Sequence, residues 1–213
     1  MVDLAFACTD IAPEHHAAGP TLQLTLRIRE ATGAPIHAMA LRCQVRIEPQ
    51  RRSYEPVEVD RMLDLFGPGK QWGDTVRPMQ LAALSHLVPG FRDEVTTTIP
   101  LPCSYDIEVA SGKYFQSLDG GEIPLVLLFA GTVFVAGETG FAVEQIPWHH
   151  EATYRLPVTV WQQMMDLHFP ERGWIALSRE SIHALRDYAA VEAIPFGDAV
   201  IERLLKEAGW PPS

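Results

Sequence analysis

Between residues 22 and 47 the chain alternates. Leu22, Leu24, Leu26 and Ile28 are interleaved with Gln23, Thr25, Arg27 and Arg29; after EATGAP, Leu41, Cys43, Val45 and Ile47 are interleaved with Arg42, Gln44, Arg46 and Glu48. A period of two sends successive side chains to opposite faces, so each run reads as a strand with one buried face. The Gly and Pro at 33–35 predict that the two pair as a hairpin-like antiparallel unit. Similar patterns predict strands at 4–8, 95–101, 103–109, 141–146 and 152–156. The run 125–135 is apolar on both faces, as in a central strand covered on both sides.

The period changes elsewhere. YEPVEVDRMLDLFG reads as a short helix, with Pro56 in its first turn and Gly67 as terminator. Residues 67–91 read as irregular, covering an end of the sheet. Beyond Pro157 the pattern is helical in VTVWQQMMDLHF, SRESIHALRDYAAVEA and FGDAVIERLLKEAG, with Pro170 and Pro195 as interruptions. Ser178 and Asp198 stand as caps, and Gly209 closes the last helix. Strands first and helices last give an α+β expectation: an antiparallel, sandwich-like sheet core over 1–156, with a short helix and an irregular insertion near 56–91. A helical segment, 157–213, packs on that core or extends from it.

Composition narrows the function more than the fold. The 213 residues are 47% hydrophobic and 21% charged, which suits a globular chain able to bury its own core. The longest apolar run, 124–136, is about two-thirds of the roughly 20 residues that a membrane-spanning helix needs. MVDLAFACTD lacks the basic start of a targeting signal, so a cytoplasmic location is expected. Cys8, Cys43 and Cys103 are widely spaced and odd in number, against a disulfide framework. A formal net charge of −10 argues against nucleic acid, whose phosphates demand clustered Lys and Arg.

Motifs for catalysis are missing. In DLFGPGKQWGDT the positions of a phosphate loop's first Gly and its hydroxyl are taken by Asp64 and Gln71. There is no G-x-G-x-x-G joining a strand to a helix and no G-x-S-x-G elbow. PWHHE, residues 147–151, looks most like chemistry, but strand alternation would send His149 and His150 to opposite faces unless the chain breaks there. His149 and Glu151 can share a face, and a third ligand would have to come from elsewhere, with His15 and His16 in the loop APEHHAAGP as candidates.

The arginines are more informative. In the predicted hairpin Arg27, Arg29, Arg42 and Arg46 project from one polar face, with Arg51 and Arg52 close behind. The plain reading is a solvated face partnered by Asp106 and Glu108. The functional reading is a docking patch for an acidic partner, setting its orientation and on-rate. At the other end an amphipathic helix leads to Trp210, a candidate partner anchor if exposed.

The stretches LRCQVRIEPQRRSY (41–54), LDLFGPGKQWGDTVRP (63–78), LPCSYDIEVASGKYFQSLDGGEIPLVLLFAGTVF (101–134) and LPVTVWQQMMDLHFPERGWIALSRESIHAL (156–185) resemble a mainly actinobacterial family of domains of unknown function. The similarity runs from about residue 2 to residue 190, and the family's genes lie near those of NiFe-hydrogenases. The resemblance implies an accessory role in hydrogenase assembly or maturation, and it carries over no catalytic residue. The expectation is a non-catalytic accessory protein that binds a protein partner, without a cofactor and with its oligomeric state open. The alternatives are a nickel- or zinc-handling factor built on the His149, His150 and Glu151 cluster, or a small hydrolase with its pocket under residues 67–91.

Overall fold

In the computed structural model, which describes residues 2–103, 109–137, 140–170 and 177–210, the alternation at 22–28 becomes a strand with Leu22, Leu24, Leu26 and Ile28 at 0–1% exposure. Burial of one such side chain stabilises by about 1.5–3 kcal/mol, and the four share a face because strand periodicity puts them there. The chain divides into two units, Met1–Arg172 and Gly173–Ser213.

The first unit is a sandwich of two antiparallel sheets. One sheet has the order β1-β2-β5, formed by β1 (Leu4–Pro13), β2 (Thr21–Glu30) and β5 (Glu94–Pro102). The other has the order β4-β3-β6-β7, from β3 (Ile36–Ile47), β4 (Met79–Phe91), β6 (Glu122–Gly137) and β7 (Gly140–Ile146), with β8 (Glu151–Pro157) also on β6. Inward side chains of both sheets form one apolar cluster, and Phe6 of β1 stacks on Phe129 of β6 with centroids 4.4 Å apart. The run 125–135 is an internal strand, as expected, but it is not covered on both sides: on its outer face Ala130 is exposed and Leu128, Thr132 and Phe134 are only half-buried. β3 pairs along one side of β6, while β8 and β7 share the other.

The expected hairpin is not formed. β2 and β3 belong to different sheets, and the loop between them, with Gly33 at φ +76, crosses from one layer to the other. Alternation specifies which face of a strand is buried, and leaves its neighbours undetermined. At this crossover Glu30 is buried, at 3% exposure. Its Oε1 accepts hydrogen bonds from Asp3 N (3.1 Å), Thr32 N (3.1 Å) and Thr32 Oγ1 (2.7 Å), and its Oε2 accepts one from Ala34 N (2.9 Å).

The helices of the first unit cover its ends. The short-helix prediction splits into α1 (Pro56–Arg61) and α2 (Leu63–Phe66), with Met62 buried at the junction and Phe66 buried in α2, and Gly67 stops the chain at φ +72. A further turn, α3 (Trp72–Thr75), follows. Residues 79–91, read as irregular, are strand β4; its small residues and Pro89 blur the alternation, while Leu81 and Val88 enter the core. The strand expected at 103–109 falls mainly on 104–108, outside the described residues, and α4 (Val109–Gln116) begins at its end. α5 (Val158–His168) buries Val158, Trp161 and Met164, and Trp161 stacks on Phe115 of α4 at 4.1 Å. Contacts of α5 with β1, β2 and β8 carry the first unit past residue 156 to Arg172.

The second unit holds α6 (Arg179–Val191) and α7 (Asp198–Glu207). Ser178 caps α6 by accepting from Ser181 N at 3.0 Å, and Tyr188 of α6 donates to Glu207 of α7 at 3.1 Å. Gly197, rather than Asp198, is the cap residue of α7, and Gly209 at φ +72 follows its end.

Candidate functional site

Because β2 and β3 part company, the four predicted docking arginines form two pairs. Arg27 and Arg29 lie on the outer face of the β1-β2-β5 sheet, and Arg42 and Arg46 on that of the other sheet. Each alternates with residues of the shared core, so the pairs look away from each other. Arg29 has Glu94 across the strand pair at 4.0 Å, with both side chains exposed, an arrangement worth little. Arg46 lies 3.5 Å from the buried Glu48. Asp106 and Glu108, expected as partners of the arginines, lie outside the described residues.

Arg42 stands apart. It sits on the outward face of β3, an internal strand of its sheet, opposite Ser85 on one side and Ala130 on the other, with Ala40 and Gln44 two residues away along the strand. All four point to the same face, and none carries a charge. Gln44 is engaged by Gln80 at 2.7 Å, and among the described residues Arg42 has no ion-pair partner. Ala40, Arg42, Ser85 and Leu87 help to line a shallow hollow of about 350 Å³, and Leu87 is 67% exposed. The result is a guanidinium on a floor of small side chains beside an exposed leucine. Sequence reasoning found the arginine; strand pairing was needed to find its neighbours.

PWHHE also takes a form different from the strand reading. Residues 147–150 make a turn closed by His150 N to Pro147 O (3.3 Å) and fastened to β6 by Phe129 N to His150 O (3.0 Å). Four residues, 147–150, stand opposite two, Phe129 and Ala130, so the edge formed by β7 and β8 carries a two-residue surplus. The break brings the His149 and His150 rings together, with centroids 4.6 Å apart, where an unbroken strand would have separated them. His150 packs edge-on to Phe6 at 5.5 Å. Burial and the neighbouring His149 hold its imidazole below the usual value, against an opposing pull from Asp3. Trp148, at the tip of the turn, is 89% exposed.

Glu151 begins β8, exposed and opposite Leu128. His15 and His16 lie exposed in the turn after β1, where His16 N donates to Glu14 Oε1 at 3.1 Å. Among the described residues no group of three or more His, Cys, Asp or Glu side chains is placed to hold a metal. Burial pushes the thiols of Cys8, Cys43 and Cys103 up to about 12, far from nucleophilic use at neutral pH. In the second unit Trp210 is exposed, as its anchor reading required. No described helix is long and apolar enough to cross a membrane.

A family model, "Family of unknown function (DUF6084)", matches residues 1–211. No curated protein matches the chain. Similar solved structures include a β-glucosidase from Kluyveromyces marxianus, 7% identical over 72% of this chain and 15% of that one, at a TM-score of 0.25. Another is β-glucosidase 3B from Thermotoga neapolitana, 15% identical over 72% of this chain and 17% of that one, at a TM-score of 0.23. The chain thus spans less than a fifth of either enzyme, and likeness at these scores says nothing about fold or activity.

Proposed function

The chain belongs to the DUF6084 family, whose function is unknown, and from that premise we propose that it is a non-catalytic accessory protein that binds an acidic protein partner. The observation that supports this reading is the setting of Arg42, a cation without an ionic partner among the described residues, ringed by Ala40, Gln44, Ser85 and Ala130 and bordered by the exposed Leu87. Arginine beside apolar surface is the composition of an interface hot spot, since its fork can take a carboxylate while its stem covers apolar area. A component of a NiFe-hydrogenase system is the first partner to test, on the resemblance of the sequence alone.

The experiment is affinity purification from the native host with quantitative mass spectrometry, comparing the wild type with Arg42→Glu and with the double variant Arg27→Glu/Arg29→Glu. A partner lost with Arg42→Glu and kept by the double variant supports the sheet face around Arg42. Retention of every partner by Arg42→Glu sinks the reading.

The paired rings of His149 and His150 favour a second reading, in which this turn contributes two ligands to a nickel or zinc ion and a partner supplies the rest. Calorimetry with either metal, on the protein alone and with its captured partner, tests it. Absence of heat beyond that of a His149→Ala/His150→Ala variant ends it.

A further inference from the structure

Two adjoining hollows lie near β8, lined in common by Arg51, which the sequence pattern placed close behind the docking arginines, and by Arg155, which it did not single out. The smaller, about 300 Å³, is lined by Arg51, Pro124, Leu125, Thr153, Tyr154 and Arg155. The larger, about 660 Å³, shares Arg51 and Arg155 and adds Arg52, Glu55, Asp119 and Glu122 among others. Strand pairing explains the meeting: Arg155 stands opposite Pro124 of β6, Thr153 opposite Val126, and Val126 opposite Arg46 of β3. Arg51 arrives on the short helical turn Pro49–Arg51 that follows β3.

The three arginines are held differently. Arg51 Nε lies 3.9 Å from Glu48 and Arg155 Nη1 3.9 Å from Glu122, both beyond hydrogen-bonding distance, and their side chains are 57% and 64% exposed. Their forks are therefore free to turn toward a ligand. Arg52 is fixed instead: its side chain is 9% exposed, and its Nη2 donates to Glu58 Oε1 and to Gly120 O, each at 2.7 Å. Its Nη1 is buried without a hydrogen-bond partner among the described residues, although a guanidinium nitrogen so enclosed is ordinarily satisfied. Among the described residues no acidic side chain lines the smaller hollow, whereas Glu55, Asp119 and Glu122 line the larger.

We propose that the smaller hollow is an oxyanion-binding site, where Arg51 and Arg155 grip a phosphate or carboxylate and Thr153 donates its hydroxyl. The remainder of the ligand extends into the larger hollow, whose carboxylates call for hydroxyl, amide or ammonium donors. Two guanidinium forks match the paired oxygens of either anion, and volumes of this order suit small polar ligands. The site uses none of the residues around Arg42, so failure of one proposal leaves the other standing.

The test is nuclear magnetic resonance of the full chain, following backbone amides and arginine Nε–H groups during titration with inorganic phosphate and, separately, acetate at constant ionic strength. Saturable shifts at Thr153, Arg51 and Arg155 with either anion are expected, and the anion that saturates at lower concentration names the source. Arg155→Gln should weaken that binding about tenfold or more by removing a charge-assisted pair. If Arg155→Gln fails to fold, Arg51→Gln carries the same expectation. Non-saturating shifts with both anions up to about 50 mM, or unchanged affinity in the folded variant, overturn the proposal.

Discussion

Glu30→Gln isolates the point where the chain passes between the two sheets. The carboxylate accepts four hydrogen bonds while almost wholly buried, three at Oε1 and one at Oε2. Glutamine can keep its carbonyl oxygen toward Asp3 and Thr32, but its amide nitrogen then meets Ala34 N, donor against donor. Hydrogen bonds to a charged acceptor are worth about 1.5–3 kcal/mol and neutral ones about 0.5–1.5, so three bonds weakened by about 1–1.5 each and one lost sum to about 4.5–7.5 kcal/mol, partly offset because the neutral amide no longer bears the charge's burial cost.

The cost depends on pH with a definite sign. Burial favours the protonated acid, yet the hydrogen bonds from Thr32, Asp3 and Ala34 outweigh it and hold the carboxyl below its ordinary value of 4.5. A group with a depressed folded value contributes its stability in full above the unfolded value, and loses it as pH falls through the folded one. Urea unfolding of wild type and Glu30→Gln, followed by circular dichroism from pH 7 to pH 3, reads both effects. The difference should be largest at neutral pH and shrink below about 4.5. A difference under about 1 kcal/mol at pH 7, or one constant across the series, refutes the reasoning.

Two further predictions follow from the core. Gly131→Ala would place a Cβ 2.1 Å from Ala40 O at φ +143, so β6 must leave β3; folding should be lost or stability cut by about 3 kcal/mol or more, measured by yield of dispersed protein and by melting. Tyr114, fully buried and bonded to the Tyr54 hydroxyl at 2.8 Å, has its phenol pushed well up by burial and by the neighbouring Tyr54, so its share of stability is complete below about pH 10 and declines as pH rises above it. Absorbance at alkaline pH should show that phenol ionising only on unfolding, and Tyr114→Phe should reduce the part of the absorbance change that accompanies unfolding.

The alternation at 22–28 and 41–47 identified buried faces correctly, and the doubly apolar run at 125–135 identified an internal strand. Neither pattern contains partners: a turn with Gly33 serves a hairpin and a crossover equally, and the pairing of β3 with β4 and β6 was decided by residues far along the chain. β4 escaped notice because Ala82, Ala83 and Ser85 are too small to mark an apolar face and Pro89 argues against a strand. Arg51 and Arg52 were visible behind the strand at 41–47, but their meeting with Arg155 was out of reach for the same reason, since it depends on the pairing of β8 with β6. For the histidines, Pro147 was the signal that the strand breaks, and the break determines where both rings point.

The turn at 147–150 also bears on how this fold can diverge. The registers of β7 and β8 on β6 are anchored separately, on either side of the surplus that carries Trp148. Residues inserted at its tip would lengthen a loop without sliding either strand, whereas a deletion larger than the surplus would pull one strand out of step and turn its buried row to solvent. Length variation among relatives should therefore collect at this edge, and the chemistry displayed there can change while the sandwich behind it stays the same.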